Sequence, residues 1–352
     1  MLKDKIPVAV LGATGSVGQR FISLLDQHPW FRVAALTASE RSAGKPYRQA
    51  CHWILPEAMP TWAEEMLLLP SAPEHLPQAR IVFSALPADE ARIIEPLFAG
   101  AGIAVCSNAS AFRREADVPL LLPEVNADHI RLVEQQRVNH GWKGCIVTNP
   151  NCTSTGLTVA LKALDDRFGV TRVMAVSLQA LSGAGYPGVP SLDVIDNVIP
   201  YIAGEEEKLE WEPRKMLGKL TGSQVSLAPL LLSAHTNRVP VTDGHLVCAS
   251  VELSSPADTE QALEAFHSYQ CHPLASDLPS TPRPVIAVSS QPDRPQPRLD
   301  RLAGSGMTTV VGRVRTDPLF HLKFVVCSHN TIRGAAGGSI YNAELLVKEG
   351  LV

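Results

Sequence analysis

The sequence predicts an α/β protein of two domains, the first built on a parallel sheet and the second on a mixed, largely antiparallel sheet. An apolar run from Ile6 to Leu11 leads through a glycine-rich turn into a helical pattern. Strand-like and helix-like segments then continue to alternate to about residue 150, as they do in α/β domains. Further along, the segment His321 to Phe324 alternates polar with apolar residues, which is typical of an antiparallel strand with one wet face.

The bulk composition is that of an ordinary globular chain. Its 352 residues are 45% hydrophobic, which is enough to build cores for about two domains. A formal net charge of -4 leaves no basic footprint, so we expect neither nucleic acid nor a membrane as a partner. Seven scattered cysteines without metal-like spacing, and a start without room for a signal peptide, indicate a cytoplasmic location and no metal site.

The glycine-rich turn is expected to bind a dinucleotide. It follows one strand, opens a helix and precedes a second strand from Arg32 to Leu36, which is the context of a Rossmann-like dinucleotide-binding domain. Its glycines permit a tight turn and a close approach of the backbone to a pyrophosphate at the helix N-terminus. The residues expected to bind the cofactor here are Gly12, Thr14, Gly15, Ser16, Val17 and Gly18.

The end of the second strand bears on the choice of nicotinamide cofactor. The hydroxyls of Ser39 and Ser42 and the guanidinium of Arg41 are available to a 2′-phosphate, which favours NADP. Glu40 leaves NAD open, because a carboxylate here can bind the ribose 2′-hydroxyl instead. The segment could also be only a polar loop.

Two further features belong to the predicted first domain. The helix from Asp89 to Gly100 is expected to face the sheet with its apolar residues Ile93, Ile94, Leu97 and Phe98. Arg113 follows a strand in a loop at its carboxyl end, where open α/β sheets bind ligands. It could clamp a phosphate, although an exposed arginine is more often simply solvated.

Cys152 is the candidate nucleophile. A strand ends at Val147, Asn149-Pro150 turns the chain and a helical pattern follows, so Cys152 is predicted in the first helical turn. The free N–H groups and the dipole of a helix N-terminus favour a thiolate there. The amide of Asn151 could hold a developing oxyanion. Taken alone, Cys152 would more often be a small buried apolar residue.

Three positions of the second domain are weaker candidates on their own. Gln179 precedes a flexible turn around Gly183, which could lie against a substrate or a nicotinamide or simply connect a strand to a helix. Glu205 and Lys208 are three residues apart and share a helical face. Such pairs are common on protein surfaces.

Arg238 and His245 bracket a segment broken by Pro and Gly. Histidine is the natural proton shuttle near neutral pH, and arginine suits a carboxylate. A hydrogen-bonded turn histidine is an equally good interpretation of His245 from the local sequence. After a glycine-rich stretch, the helix from Ile340 to Lys348 is expected to pack back on the first domain.

Taken together, these motifs resemble aspartate-semialdehyde dehydrogenase, specifically its archaeal and fungal branch. The resemblance runs nearly end to end, and the segments around the cysteine and the histidine are its most specific parts. The matching segments are Gly12 to Gly18, Asn149 to Thr153, Ser182 to Ser191, Glu205 to Lys208, Asn237 to His245 and Ser328 to Gly338.

The resemblance implies reversible oxidation of L-aspartate 4-semialdehyde to L-4-aspartyl phosphate, dependent on NADP and inorganic phosphate, on the route to lysine, threonine and methionine. It implies a cofactor-binding domain of residues 1–151 with the C-terminal segment 330–352, and a catalytic and dimerisation domain of residues 152–329. A homodimer or homotetramer is expected.

The resemblance also implies a role for each candidate residue. Cys152 would be the nucleophile, His245 the acid/base catalyst, Asn151 a support for the acyl intermediate and Gln179 the group that orients the substrate. Arg238 would hold the substrate carboxylate, Glu205 or its neighbour Glu206 the amino group, and Arg113 with Lys208 the phosphate. Gly183 and Asn330 would approach the nicotinamide. Two alternatives stand beside this: an acyl-thioester reductase such as malonyl-CoA reductase, and a non-catalytic NADP-binding protein.

Overall fold

The computed structural model describes residues 4–352. Within that range two six-stranded sheets and one two-stranded sheet form the framework. The strands are β1 Ile6–Leu11, β2 Phe31–Thr37, β3 Leu68–Leu69, β4 Ile81–Ser84, β5 Ala104–Ser107, β6 Cys145–Thr148, β7 Val170–Gln179, β8 Lys219–Thr221, β9 Gln224–Ser226, β10 Leu231–Arg238, β11 His245–Leu253, β12 Ile286–Ser289, β13 Thr309–Thr316 and β14 Leu322–Ser328.

Helices surround and connect these sheets. The α-helices are α1 Ser16–Leu25, α2 Tyr47–Ala50, α3 Thr61–Glu64, α4 Ala88–Gly100, α5 Pro123–Asn126, α6 Leu132–His140, α7 Cys152–Phe168, α8 Ser191–Val194, α9 Glu205–Met216, α10 Thr259–His267, α11 Pro297–Asp300 and α12 Gly337–Lys348. Short 3₁₀ segments are Pro73–His75, Ala127–Arg131, Leu181–Ala184, Pro273–Ala275 and Ala303–Gly306, and a π-helical segment is Ile332–Ala336.

The first sheet has the strand order β3-β2-β1-β4-β5-β6, and all of its strands are parallel. The last residues of four neighbouring strands lie side by side, since Leu11 pairs with Ser84, Ser84 with Ser107, and Ser107 with Thr148. The loops that leave these strands therefore share one edge of the sheet, where open α/β sheets bind ligands. The predicted parallel first sheet is confirmed.

The second sheet has the order β10-β7-β11-β14-β13-β12 and is mixed. Its three central pairings are antiparallel and its two outer pairings are parallel, as the sequence predicts for this half of the chain. Helix α7 packs on this sheet, and its apolar residues share a core with strands β7, β11 and β14. Helix α12 instead contributes Ile340, Leu345 and Leu346 to the core around β1 and β4.

The buried face of α4 differs from the predicted one. Phe98 is buried, but Ile93 and Leu97 are 71% and 55% exposed. The helix instead buries Ala91, Glu95 and Phe98, which recur at helical spacing. A carboxyl group occupies one core position because Glu95 accepts a hydrogen bond from the Ser107 hydroxyl at 2.6 Å. A hydrophobic pattern cannot anticipate a buried polar pair of this kind.

Candidate active site

Cys152 lies at the first position of α7, as the sequence predicts, directly after the end of the first sheet. Asn151 caps the helix, because its side-chain oxygen accepts the N–H of Thr153 at 2.9 Å and of Ser154 at 3.4 Å. The sulfur of Cys152 is 3.2 Å from Nε2 of His245. Strand β11 of the second sheet and helix α7, which packs on that sheet, therefore bring an imidazole and a thiol into contact.

The resting state of Cys152 differs from the expected thiolate. Burial, followed by the negative charge of Glu205, raises the pKa of the Cys152 thiol to about 12. Arg113 and Arg238 act in the opposite direction without overcoming burial. The position at a helix N-terminus is correct, but the surroundings of the sulfur keep the thiol protonated in the free protein.

His245 is neutral and its tautomer is fixed by the backbone. The N–H of Ala180 donates to Nδ1 of His245 at 3.0 Å, so the single proton of the neutral ring resides on Nε2, which faces the sulfur. Burial, with Arg238 as the next cause, lowers the pKa of His245 to about 3. The imidazole is thus a hydrogen-bond donor toward the sulfur throughout the neutral range.

A second group of polar side chains surrounds Glu205. Asn151 Nδ2 lies 3.0 and 2.9 Å from the two Glu205 oxygens, Lys208 Nζ 2.9 Å from Oε1, and Gln179 Nε2 3.3 Å from Oε2. Although burial opposes it, Lys208 and these amides lower the pKa of Glu205, so the carboxylate is charged. The side chain of Asn151 is thereby engaged as a cap and as a partner of Glu205. Glu206 points elsewhere and accepts the backbone N–H of Thr236 at 3.0 Å.

Arg113 is buried, in contrast to the alternative of a solvated arginine. Its Nη1 donates to Glu212 Oε1 at 2.8 Å, and its Nη2 donates to the carbonyl oxygen of Asn108 at 2.8 Å. Its Nε is buried and has no hydrogen-bond partner among residues 4–352. A cavity of about 250 Å³ opens beside it, lined also by Lys208 and Trp211. Three cations of the lining, Arg113, Arg114 and Lys208, outnumber its two carboxylates, Glu207 and Glu212, so the cavity suits an anion such as phosphate.

The turn around Gly183 lies against the histidine. A side-chain Cβ at Gly183 would be 3.0 Å from Nη1 of Arg238 and 3.3 Å from Cε1 of His245, so only glycine fits without displacing them. Arg238 is also buried, and its Nη1 donates to the carbonyl oxygen of Ala180 at 2.6 Å. Asn330 joins this turn to the histidine segment by donating to Ser182 Oγ at 2.7 Å and accepting the N–H of Gly244 at 2.8 Å.

The edge of the first sheet offers a cradle that fits a dinucleotide. Gly12 has a φ of +70°, and a Cβ there would lie 3.0 Å from the carbonyl oxygen of Ala85. A Cβ at Gly18 would lie 2.3 Å from the carbonyl oxygen of Gly12, so this glycine lets the helix approach the turn. Gly15 caps α1 without a side-chain hydrogen bond, which leaves donors of the first turn, including those at Ser16 and Val17, available to a pyrophosphate.

A cavity of about 600 Å³ extends from this cradle. Thr14, Ser39 and Glu40 contribute to its lining. Ser42 donates its backbone N–H to the carbonyl oxygen of Ser39 at 2.9 Å, which turns the chain at this point. Arg41 is exposed at the turn and does not line the cavity. Ser39 and Glu40 thus line the cavity, whereas Arg41 and Ser42 follow them in the turn without lining it.

Comparisons with known proteins agree along the whole chain. A model described as "Semialdehyde dehydrogenase, NAD binding domain" matches residues 7–133, and one described as "Semialdehyde dehydrogenase, dimerisation domain" matches residues 161–333. The aspartate-semialdehyde dehydrogenase of Archaeoglobus fulgidus is 53% identical over 98% of this chain and 99% of its own. The chain belongs to the aspartate-semialdehyde dehydrogenase family.

Other members of the aspartate-semialdehyde dehydrogenase family support the same conclusion. The enzyme of Schizosaccharomyces pombe is 49% identical over 98% of this chain and 99% of its own. The crystal structure of the Candida albicans enzyme with NADP is 43% identical, covers 99% of this chain and 100% of its own, and superposes with a TM-score of 0.91. The predicted membership of this family is therefore confirmed, together with the two-domain α/β fold.

In this family member the structure brings together most of the residues singled out in the sequence, and it adds one. Glu212 accepts from Arg113 and also accepts the backbone N–H of Asn151 at 2.6 Å, so it links the anion cavity to the turn that carries the cysteine. Its spacing of seven residues from Glu205 places both on one face of α9. That spacing is the signal in the sequence that could have identified Glu212.

Proposed function

We propose that the protein catalyses the reversible conversion of L-aspartate 4-semialdehyde and phosphate to L-4-aspartyl phosphate with NADP, in the biosynthesis of lysine, threonine and methionine. The observation that carries the proposal is the 3.2 Å contact between Cys152 Sγ and His245 Nε2, with a cavity of net positive lining connected to the cysteine turn through Glu212. A thiol for acyl transfer and a separate anion site are what phosphorylating aldehyde oxidation requires. The family relationship supplies the substrate.

The cysteine divides the reaction into two steps. In the reductive direction the Cys152 thiol attacks the acyl carbon of aspartyl phosphate and an S–C bond forms. The C–O bond to phosphate breaks with its electron pair leaving on phosphate, and the departing phosphate takes up the thiol proton. The leaving phosphate lies with Arg113 and Lys208. When bound, NADP exchanges a hydride with the substrate carbon. Expulsion of the Cys152 sulfur then releases the aldehyde and a thiolate, which takes a proton from solvent and so restores the resting thiol.

The neutral His245 suits these steps. Both the thiolate and the oxyanion on the substrate carbon need a hydrogen-bond donor, and Nε2–H is aimed at the sulfur by the Ala180 N–H behind it. The neutral ring stabilises both species by donating this hydrogen bond, without gaining or losing a proton. Its depressed pKa favours the role of a hydrogen-bond donor over that of the acid/base catalyst that the sequence predicts.

Charged groups around the sulfur recognise the amino-acid part of the substrate. Arg238 binds the carboxylate, and Glu205 binds the ammonium group in preference to Glu206, which is committed to the backbone of Thr236. Gln179 orients the substrate from its position 3.3 Å from Glu205. These assignments give the two charged groups of the substrate buried partners of opposite sign.

The cofactor occupies the cradle at the edge of the first sheet. The turn from Gly12 to Gly18 holds the pyrophosphate, the hydroxyls of Ser39 and Ser42 with Arg41 hold the 2′-phosphate, and Gly183 with Asn330 lies near the nicotinamide. The cavity of about 600 Å³ beside Gly12 and Ser39 supports this placement. Glu40 lowers but does not abolish the advantage of NADP over NAD.

Two copies of the chain associate through the second sheet, as a dimer or as part of a tetramer. Its outer face carries exposed apolar side chains, Met174 at 43% and Leu231 at 65%, and Leu192 and Tyr201 are exposed at 91% and 65% in the same half of the chain.

No helix among residues 4–352 is long and apolar enough to cross a membrane. The seven free cysteines suit the reducing cytosol, where Cys152 stays active.

The deciding experiment measures NADPH formation by the purified protein from L-aspartate semialdehyde, with and without inorganic phosphate. Strict dependence on phosphate, lost in Cys152→Ala and kept in the control Cys271→Ser at a thiol outside the site, is the expected result. Equal rates without phosphate would refute the proposal. Oxidation of NADPH by malonyl-CoA, with no reaction of the semialdehyde, would favour an acyl-thioester reductase, and no turnover of either would favour a non-catalytic protein.

A further inference from the structure

Lys215 forms a buried contact that the reaction itself does not use. Its side chain is 3% exposed, and its ammonium donates to the carbonyl oxygens of Arg113 at 2.9 Å, Glu115 at 2.8 Å and Val118 at 2.9 Å. Burial lowers the pKa of Lys215 to about 8, so the group remains charged at neutral pH. All three of its N–H donors are then occupied by one segment of backbone.

The segment that Lys215 holds is residues 113–118, which contains neither a helix nor a strand. It begins with Arg113, whose guanidinium lines the anion cavity, and its next residue, Arg114, lies over the ring of Trp211 at 4.9 Å. Without a ladder of backbone hydrogen bonds, the position of such a segment depends on contacts with its neighbours. Lys215 supplies three of these contacts from a single point.

Helix α9 contacts Arg113 both at its backbone and at its side chain. Lys215 holds the carbonyl group of Arg113, and Glu212, one turn earlier in the helix, holds its guanidinium at 2.8 Å. Glu205 and Lys208 follow the same spacing toward the start of the helix, so four charged residues of alternating sign share one face. The face thus fixes the anion cavity relative to the turn at Asn151, which Glu212 also contacts.

We propose that Lys215 is a positioning residue that sets the affinity for phosphate by fixing the 113–118 segment against α9. The inference rests on the proposed function, since it concerns the phosphate site of that reaction. Removing the ammonium frees the backbone of Arg113 while Glu212 still holds its guanidinium. The arginine then loses its orientation toward the cavity, but Cys152 and His245, which Lys215 does not contact, keep their geometry.

The test is the kinetics of Lys215→Met against the control Lys219→Met, the same change at an exposed lysine that begins β8. We expect the KM for phosphate to rise roughly tenfold or more, because charge-assisted hydrogen bonds to three carbonyl groups are lost. The KM for the semialdehyde and kcat at saturating phosphate should stay within about threefold of wild type. The control should match wild type in all three.

A second variant keeps the test decisive if Lys215→Met does not fold. Lys215→Gln retains two N–H donors and should give a phosphate KM between those of wild type and Lys215→Met. If Lys215→Met does not fold, the phosphate KM of Lys215→Gln should still be higher than that of wild type. An unchanged phosphate KM in a folded variant, or equal changes in all three parameters, would overturn the proposal. A wild-type rate that does not depend on phosphate would instead refute the proposed function.

Discussion

Among the glycines, Gly334 should be the one whose replacement by alanine lowers kcat most. A Cβ at this position would lie 2.7 Å from Cβ of Cys152 and 2.8 Å from its Cα, whereas ordinary contact begins near 3.4 Å. Either the π-helical segment or the start of α7 must then move by at least about 0.7 Å. Displacements near 1 Å at a reacting group cost about 100-fold in rate, and overpacking costs roughly 1–3 kcal/mol in stability.

We therefore expect Gly334→Ala to lower kcat about 100-fold while the KM for NADP changes little, because the three atoms nearest the added Cβ all belong to Cys152. The assay is initial-rate NADPH formation with each substrate varied, accompanied by thermal unfolding. The matched control is Gly100→Ala, where the added Cβ meets nothing closer than 3.8 Å, from the ring of Trp142. A kcat within twofold of wild type in folded Gly334→Ala would refute the reasoning, since the sulfur would not then depend on this contact.

Three further predictions follow from the charged groups. The rate of Cys152 alkylation by iodoacetamide in the free protein should rise about tenfold per pH unit from pH 7 to 9, because burial raises the thiol pKa to about 12; a plateau below pH 8 would contradict this. Arg333→Met should lower the free energy of unfolding in urea by about 3–5 kcal/mol, since it leaves the buried Glu124 carboxylate without its bidentate partner. Adding Glu124→Gln should recover part of this stability, and an unchanged urea midpoint in Arg333→Met would disprove the account. Glu205→Gln should lower kcat/KM at least about 100-fold and Glu206→Gln less than about threefold, and a reversed order in the same assay would exchange their roles.

The parts of the fold that follow from local pattern could be predicted from the sequence. The turn after β1 and the start of α7 at Cys152 are signalled by residues next to one another in the chain, glycines in one case and Asn149-Pro150 in the other. The orientation of α4 could not be predicted, because Glu95 occupies a core position through a hydrogen bond to Ser107, twelve residues away.

The protonation state of Cys152 also could not be predicted from the local sequence pattern. Position at a helix N-terminus is a property of neighbouring residues, but burial of the Cys152 sulfur depends on Gly334 and His245, which are far away in the chain. Lys215 was missed for a similar reason. Its partners are main-chain carbonyl groups, which every residue has, so nothing in the identity of residues 113–118 reveals the contact.

The hydrogen bond from Ala180 to His245 connects these observations to the chemistry. A histidine with its Nδ1 bound to a backbone N–H cannot accept the thiol proton at Nε2 without becoming an imidazolium, and burial beside Arg238 opposes that charge. In the reductive direction the thiol proton leaves with the phosphate, and no proton has to be delivered to the substrate oxygen, since the oxyanion collapses by expelling sulfur. A donor that stabilises first the oxyanion and then the thiolate is therefore sufficient, and a permanently neutral His245 supplies it without a change of charge in the buried site.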